Sequence, residues 1–551
     1  MEERIWWKEA VCYQVYPRSF NDSNNDGIGD INGIREKLDY LKDLGIDVIW
    51  VSPIFQSPND DNGYDISDYQ DIMNEFGTME DFELLLKETH EKGMKLILDL
   101  VINHTSDEHP WFIESKSSKE NDKRDWYIWQ EGQNGKEPNN WGSIFNGSAW
   151  EQTEETDDYY LHIFSKKQPD LNWENSDVRQ AIYDMINWWF EKGIDGFRVD
   201  AITHIKKSFE DGDITYADDE QNFKAAFERY TNRPGILEHL RELRDETFNK
   251  YDIMTVGEAN GVSPDDAEDW VGFEKGIFNM IFQFEHLGLW NTEDSGFDVI
   301  QYKNILTKWQ DKLEGKGWNA LFIENHDQPR CVSTWGDDQQ YWFESATSHA
   351  TNYFLQKGTP FIYQGQEIGM TNYPFTSLDE FNDVSVKNEI KLRTENGEDT
   401  SQLLETFSKV NRDNARTMMQ WNSSKHAGFS NHEPWFHVNP NYVDINVEQQ
   451  LEDEESLLNF YKKMIKLKKE NDVFNYGVYE LIDHNHEQIY TYKRKLNNDQ
   501  VIVMSNLTNE EAEITYDIDF ENQELLLHNY KSIQDNKIMA PFETRVYRVV
   551  N

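Results

Sequence analysis

Cysteine is almost absent from this chain: two residues in 551, Cys12 and Cys331, each within or just past an apolar segment. A disulfide framework is therefore excluded as a source of stability, and two free thiols suit a reducing compartment. Long hydrophobic runs are missing too. No stretch of about 18 apolar residues occurs, and the opening Met1-Glu2-Glu3-Arg4-Ile5-Trp6-Trp7-Lys8 has no apolar core. The expectation is a cytoplasmic protein with neither signal peptide nor transmembrane span. Positive charge is the third deficit. Lys and Arg number 53 against 103 Asp and Glu, a net charge of −50. A field of that sign repels nucleic acid and anionic membranes, which excludes both as partners and disfavours phosphorylated substrates. The acids are spread along the chain with only short clusters, at 218–220 and 452–455, so no acidic tail is read.

Aromatic residues, in contrast, are plentiful: 19 Trp, 26 Tyr and 31 Phe. Core packing accounts for most of them, while their flat faces also suit sugar rings. At 551 residues the chain exceeds what one hydrophobic core organises, so two or three domains are expected. Eight candidate strands, at 10–17, 47–53, 95–103, 196–202, 252–259, 278–288, 319–327 and 359–369, alternate with amphipathic helical stretches. The helical stretches lie at 33–44, 79–92, 178–192, 237–250 and 345–357, and Gly45, Gly93, Gly193 and Gly358 stand where helices would stop. This order predicts an α/β protein built on a (β/α)8 TIM barrel. The barrel is expected over 1–103 and 174–474, with a small domain inserted after strand three at 104–173. From about 475 to 551 the pattern alternates, which reads as a C-terminal antiparallel, sandwich-like β domain.

Three of the apolar runs end in charge: Gly196–Ile202, Ile253–Ala259 and Leu321–Asp327, carrying Arg198 and Asp200, Glu258, and His326 with Asp327. An ionised carboxylate is costly to bury without partners. Three such endings predict one site at the C-terminal ends of barrel strands. Paired carboxyls in unlike environments serve glycoside hydrolysis, one as nucleophile and one as proton donor. Arg198 lies two residues before Asp200 on the same strand face, and a guanidinium there lowers a carboxyl pKa. Glu258 has no cation adjacent in sequence, so burial is expected to raise it. A buried Arg–Asp–Glu network that only stabilises the barrel is the competing reading.

The stretches 99–105 (DLVINHT), 168–172 (QPDLN), 196–200 (GFRVD), 257–258 (GE) and 324–327 (ENHD) resemble the α-amylase superfamily of retaining glycosidases, in its oligo-1,6-glucosidase/α-glucosidase branch. The resemblance implies Asp200 as nucleophile, Glu258 as acid/base and Asp327 as the third carboxylate. It also implies that His104, Arg198 and His326 line the pocket of the terminal glucose, with Asp61 and Tyr64 closing it in exo-acting members and Phe164 and Arg412 adding to its walls. The loop 22–30 (DSNNDGIGD) reads on its residues either as an Asx-rich turn or as a calcium loop lacking the distal Glu of an EF-hand. The resemblance favours a structural calcium or magnesium ion on Asp22, Asn24, Asp26, the Ile28 carbonyl and Asp30, and no organic cofactor.

The activity so implied is an exo-acting α-glucosidase on short oligosaccharides, working as a monomer or weak homodimer. In such enzymes the residue after the nucleophile is commonly Val where α-1,6 bonds are cut and Ala, Gly or Thr where α-1,4 bonds are. Here it is Ala201, which points to maltose and maltooligosaccharides, with isomaltose also accommodated. The stretch 202–207 (ITHIKK) departs from the Ile-Asn-x-Ile-Ser-Lys pattern of oligo-1,6-glucosidases. Alternatives are an oligo-1,6-glucosidase proper, a sucrose isomerase or transglucosidase, and a trehalose-6-phosphate hydrolase. A non-enzymatic, transporter-associated subunit is opposed by the complete acidic set.

Overall fold

The computed structural model describes residues 4–210, 223–291, 297–516, 520 and 523–550. Eight parallel strands form the central sheet: β1 (Cys12–Val15), β2 (Val48–Val51), β3 (Lys95–Val101), β4 (Gly196–Asp200), β5 (Met254–Glu258), β6 (Met280–Phe282), β7 (Ala320–Leu321) and β8 (Thr359–Tyr363). Their order is β6-β5-β4-β3-β2-β1-β8-β7. The strands read as continuous apolar runs because both faces are covered; all four residues of β2 and of β1 are buried. Among the described residues no hydrogen-bonded ladder joins β6 to β7, so the barrel is nearly closed. Aromatic packing fills that seam. The Phe282 ring lies 4.8 Å from Phe322 and 4.7 Å from Phe361, and His286 Nε2 lies 3.1 Å from the Phe322 carbonyl.

β6 and β7 are shorter than the apolar runs suggest, for a local reason. The Gln283 side chain accepts from the Glu285 N–H at 2.8 Å, and the Asn325 side chain accepts from the Asp327 N–H at 2.8 Å. The first turn takes the backbone out of the ladder directly after β6, and the second lies four residues past β7. The helix expected at 33–44 is likewise two pieces, Ile31–Glu36 and Leu38–Leu44, parted at Lys37. Elsewhere caps agree with pattern. Helix α1 (Met79–Glu91) starts in a capping box of Thr78 and Asp81, and α2 (Ser176–Lys192) starts at the Asn175 cap and ends on left-handed Gly193. α2 leads into β4 through Gly196, where a side-chain Cβ would lie 1.8 Å from the Met254 carbonyl oxygen. Only glycine lets β4 sit that close to β5.

After β3 the chain leaves the barrel. A three-stranded antiparallel sheet of Trp129–Gln130, Tyr159–Leu161 and Trp150–Gln152 packs around Trp141, Trp150, Leu161 and Ile163, while helix Pro110–Ser117 sets Phe112 against Tyr127, Trp129 and Tyr160. Past β8, the stretch read only as polar contains helices Val384–Glu395 and Leu403–Val410 on a cluster of Phe375, Phe381 and Phe407. The C-terminal region is a five-stranded antiparallel sheet with a two-stranded one beside it. It docks on helix α3 (Trp342–Phe354), whose C-terminal carbonyls would otherwise lack donors. From the sheet, Tyr492 donates to Asn352 O at 2.8 Å and Arg494 to Leu355 O at 2.7 Å, and Lys468 of the preceding helix Leu457–Glu470 donates to Phe354 O at 2.9 Å. No helix among the described residues is long and apolar enough to cross a membrane.

Candidate active site

Parallel register sets the first contacts. Asp99 pairs with Arg198 across β3 and β4, and Arg198 with Val256 across β4 and β5. The Arg198 guanidinium therefore stands among three carboxyls. Its Nη1 donates to Asp99 Oδ1 at 2.8 Å and to Asp200 Oδ1 at 2.6 Å, and its Nη2 lies 3.0 Å from Glu258 Oε2. Asp99 is further held by Trp50 Nε1 at 3.2 Å and the Tyr64 hydroxyl at 3.0 Å. This corrects two expectations. Glu258 is not free of cations: it shares Arg198, and it accepts from the Ala201 N–H at 2.8 Å. Nor does Arg198 win at Asp200. Burial pushes that carboxyl well above its ordinary range; Arg198 pulls it down, and Glu258 and Asp99 push it up again. One guanidinium is outnumbered by the carboxyls around it, and the buried pair Asp99 and Asp200 titrate together.

Asp327 is the opposite case. Burial acts to raise it, but His326, Arg412 and Arg416 outweigh that and hold the carboxyl well below the usual range. Arg412 Nη1 reaches its Oδ1 at 3.1 Å, Arg416 Nη2 the same oxygen at 2.9 Å, and His326 Nε2 lies 3.1 Å from its Oδ2. Gln14 Nε2, 2.8 Å from His326 Nδ1, donates there, which leaves the proton of Nε2 for Asp327. The imidazole stacks on Tyr64, with ring centroids 5.2 Å apart and planes 2° apart. Arg412 Nη2 also reaches Asp61 Oδ1 at 3.1 Å, and Gln168 Nε2 donates to Asp61 Oδ2 at 3.2 Å. Arg412 is a bridge between Asp61 and Asp327.

Asp61, Tyr64, His104, Phe164, Asp200, Ala201, Glu258, Asp327 and Arg412 all line one cavity of about 240 Å3. Arg198 and His326 stand behind that wall, in contact with its carboxylates. His104 is pushed down to about 3 by burial and so stays neutral; its Nε2 lies 3.0 Å from the Tyr64 carbonyl. Phe164 packs 5.1 Å from that imidazole. Ala201 sits in the left-handed region, φ 44°, which turns its N–H toward Glu258.

Some contributors escaped the sequence reading. Asp99, within the 99–105 stretch, anchors Arg198, which its place in an apolar run does not signal. Asp383 is buried, caps the N-terminus of helix Val384–Glu395, and pairs with Arg412 Nε and, at 3.7 Å, with Arg416. The only sequence signal for it is an Asp at a helix start. Ile144, Phe145, His204, Phe227, Asn260 and Phe284 complete the cavity wall.

The loop 22–30 lies outside the cavity. Asp22 Oδ1 accepts from the N–H of Asn24 at 3.1 Å and of Asn25 at 2.7 Å, and its Oδ2 from that of Gly27 at 2.8 Å. Asn24 accepts from Asp26 N and Asp26 from Ile28 N, each at 2.9 Å, while Asp30 caps the next helix through Gly33 N at 2.6 Å. Among the described residues no three His, Cys, Asp or Glu side chains gather as a metal site. The loop's donors are nonetheless all oxygen, including an amide and a main-chain carbonyl, and that composition fits a hard cation.

An eight-stranded parallel barrel that brings Asp200, Glu258 and Asp327 from three strand ends to one cavity has the architecture of a barrel glycosidase. The family model described as alpha amylase, catalytic domain, matches residues 14–477. The chain belongs to the α-amylase family. It is 54% identical to the probable oligo-1,6-glucosidase 3 of Bacillus subtilis over 99% of each chain, and 52% identical to the oligo-1,6-glucosidase of Bacillus cereus over 99% of this chain and 100% of that one. Among solved structures, the isomaltulose synthase of Protaminobacter rubrum superposes with a TM-score of 0.94 at 41% identity, covering 100% of both chains. The chain is a glycoside hydrolase, an exo-acting α-glucosidase.

Proposed function

We propose that the enzyme releases α-glucose from maltose and maltooligosaccharides with retention, and cleaves isomaltose as a second substrate. Asp200 attacks the anomeric carbon while Glu258 gives its proton to the leaving oxygen; Glu258 then takes a proton from the water that frees the sugar. Asp327 with His326, Asp61 with Arg412, and His104 hold the hydroxyls of the terminal glucose, while Arg198 orients the two reacting carboxyls. The observation that carries this reading is the joint contact of Arg198 with Asp200 and Glu258 inside a cavity bridged by Asp61–Arg412–Asp327. In this reading the bridge is what closes the space beyond one sugar, as exo action requires.

Ala201 supports the α-1,4 preference: only a methyl group stands beside the nucleophile, on a backbone turned toward the acid/base. The names of the two relatives support the α-1,6 activity. A pocket difference of this size is worth about 1–3 kcal/mol, so one site can serve both linkages. The test is relative kcat/KM on maltose, maltotriose, isomaltose, sucrose and trehalose, for the wild type and Ala201→Val. Maltose is expected to lead in the wild type, and the variant to shift the maltose-to-isomaltose ratio about tenfold toward isomaltose. A wild type that cuts isomaltose alone would overturn the α-1,4 preference.

We also propose that Asp22, Asn24, Asp26, the Ile28 carbonyl and Asp30 hold a calcium ion of purely structural role, and that the enzyme is cytoplasmic. Free, buried Cys12 and Cys331 support the second statement.

A further inference from the structure

The Asp61–Arg412–Asp327 bridge depends on how one guanidinium lies, and that is set from outside the cavity. Asp383 is not part of the cavity wall. It stands just before helix Val384–Glu395 and is 1% exposed. Its two oxygens have separate partners. Oδ1 accepts from the Ser385 and Val386 N–H groups at 2.7 and 3.1 Å and so caps the helix. Oδ2 accepts from Arg412 Nε and lies 3.7 Å from Arg416 Nη1. Burial acts to raise this carboxyl, but Arg412 and Arg416 outweigh it and hold the group below its ordinary range. Capping accounts for one oxygen; the other, buried and charged, serves the guanidinium.

Arg412 is left no freedom to turn. Each edge of its planar fork meets a different carboxylate: Nε meets Asp383, Nη1 meets Asp327 at 3.1 Å and Nη2 meets Asp61 at 3.1 Å. Its Cζ lies 5.0 Å from the centroid of the Phe145 ring. The clamp runs both ways. Asp413 Oδ2 accepts from the N–H groups of Asn382 at 2.7 Å and Asp383 at 3.0 Å, so the residue after Arg412 fixes the backbone that carries Asp383. Further along the same helix, Asn388 Nδ2 donates to the Phe145 carbonyl at 3.0 Å. Of the three carboxylates on Arg412, only Asp383 lies outside the cavity. Without its charge, the guanidinium keeps only the two partners that also serve the sugar.

We propose that Asp383 is a positioning residue: by holding Nε of Arg412 it fixes the guanidinium at which Asp61 and Asp327 meet, and thereby the spacing of the two carboxylates that grip the terminal glucose. This rests on the terminal-glucose pocket proposed above. Asp383 touches no sugar, so its effect is the same for every glucoside and passes through Arg412 alone.

The test measures kcat/KM on maltose, isomaltose and p-nitrophenyl α-glucoside, and inhibition by free glucose, in the wild type, Asp383→Asn, Arg412→Lys and the double variant. Asn caps a helix as well as Asp does but offers the guanidinium no charge. Losing one charge-assisted hydrogen bond here is expected to lower kcat/KM about tenfold or more on all three substrates alike, and to raise the Ki of glucose by a similar factor. Lys is a point charge and cannot match three carboxylates. In the Arg412→Lys background, Asp383→Asn is therefore expected to change kcat/KM by less than about threefold. Losses that multiply in the double variant, losses that differ between substrates, or an unchanged Ki of glucose overturn the proposal. If Arg412→Lys is too slow to assay, the substrate pattern and the Ki of glucose decide. Should Asp383→Asn not fold, Asp383→Ser, which also caps a helix, takes its place with the same expectations. A wild type that glucose does not inhibit competitively fails the terminal-glucose reading itself, separately from Asp383.

Discussion

Asp200 is held in a state that suits attack on a sugar better than it suits the fold. Burial raises its carboxyl, Arg198 opposes that, and Glu258 and Asp99 add like charge. A group whose folded pKa lies above its unfolded value stabilises the fold at pH below the unfolded value. That contribution is lost as pH rises through the folded value. At neutral pH an ionised Asp200 therefore costs stability, a cost often met at active sites. Asp200→Asn keeps the shape and removes one charge from the cluster. The expected outcome is hydrolysis reduced by a factor on the order of 10^4, with a Tm no lower than that of the wild type. Activity on maltose within about a hundredfold of wild type would rule Asp200 out as the nucleophile. At this scale the acids and Arg198 were legible in the sequence, because charge at the end of an apolar run is conspicuous. The sharing of Arg198 by Glu258 was not, since that contact depends on how β4 and β5 align.

The elements divide by how local their causes are. The capping box at Thr78 and the glycine stop after α2 are encoded within a few residues, and their positions agree with the sequence pattern. The end of β6 depends on a single side chain, Gln283, that turns the backbone aside, and an apolar run continues past it. The β6–β7 seam relies on aromatic contact where other strand pairs rely on a ladder. Phe282, 4% exposed, touches both Phe322 and Phe361 there. Phe282→Ala is expected to destabilise the protein by about 3–5 kcal/mol, more than an average core truncation, as read from the denaturant midpoint at unchanged m. A loss below about 1 kcal/mol would mean the seam is held by something other than this packing.

Across the whole molecule, the site joins segments far apart in sequence. Arg412 spans Asp61 and Asp327 and is braced by Asp383, all four brought together by the barrel and the helices after β8. The proposed calcium loop is also a junction. The Asp22 N–H donates to the Phe429 carbonyl at 3.1 Å, Asn431 Nδ2 to Asn25 Oδ1 at 2.6 Å, and Ser430 Oγ to the Asp22 carboxylate. A chelator is therefore expected to lower Tm by about 2 °C or more, with recovery on adding calcium and with kcat little changed. A Tm indifferent to both chelator and calcium would count against a metal in this loop.

The sequence by itself determined the alternation of strands and helices, the residues that end the acidic strands, and the free-thiol chemistry. Each of these follows from periodicity or from residue type within a short window. Only the tertiary structure decided how the charges are shared and where β6 meets β7. Those depend on strand register and on packing between segments hundreds of residues apart, such as the 351-residue separation between Asp61 and Arg412. No local pattern carries that distance, because it is closed by the geometry of the barrel.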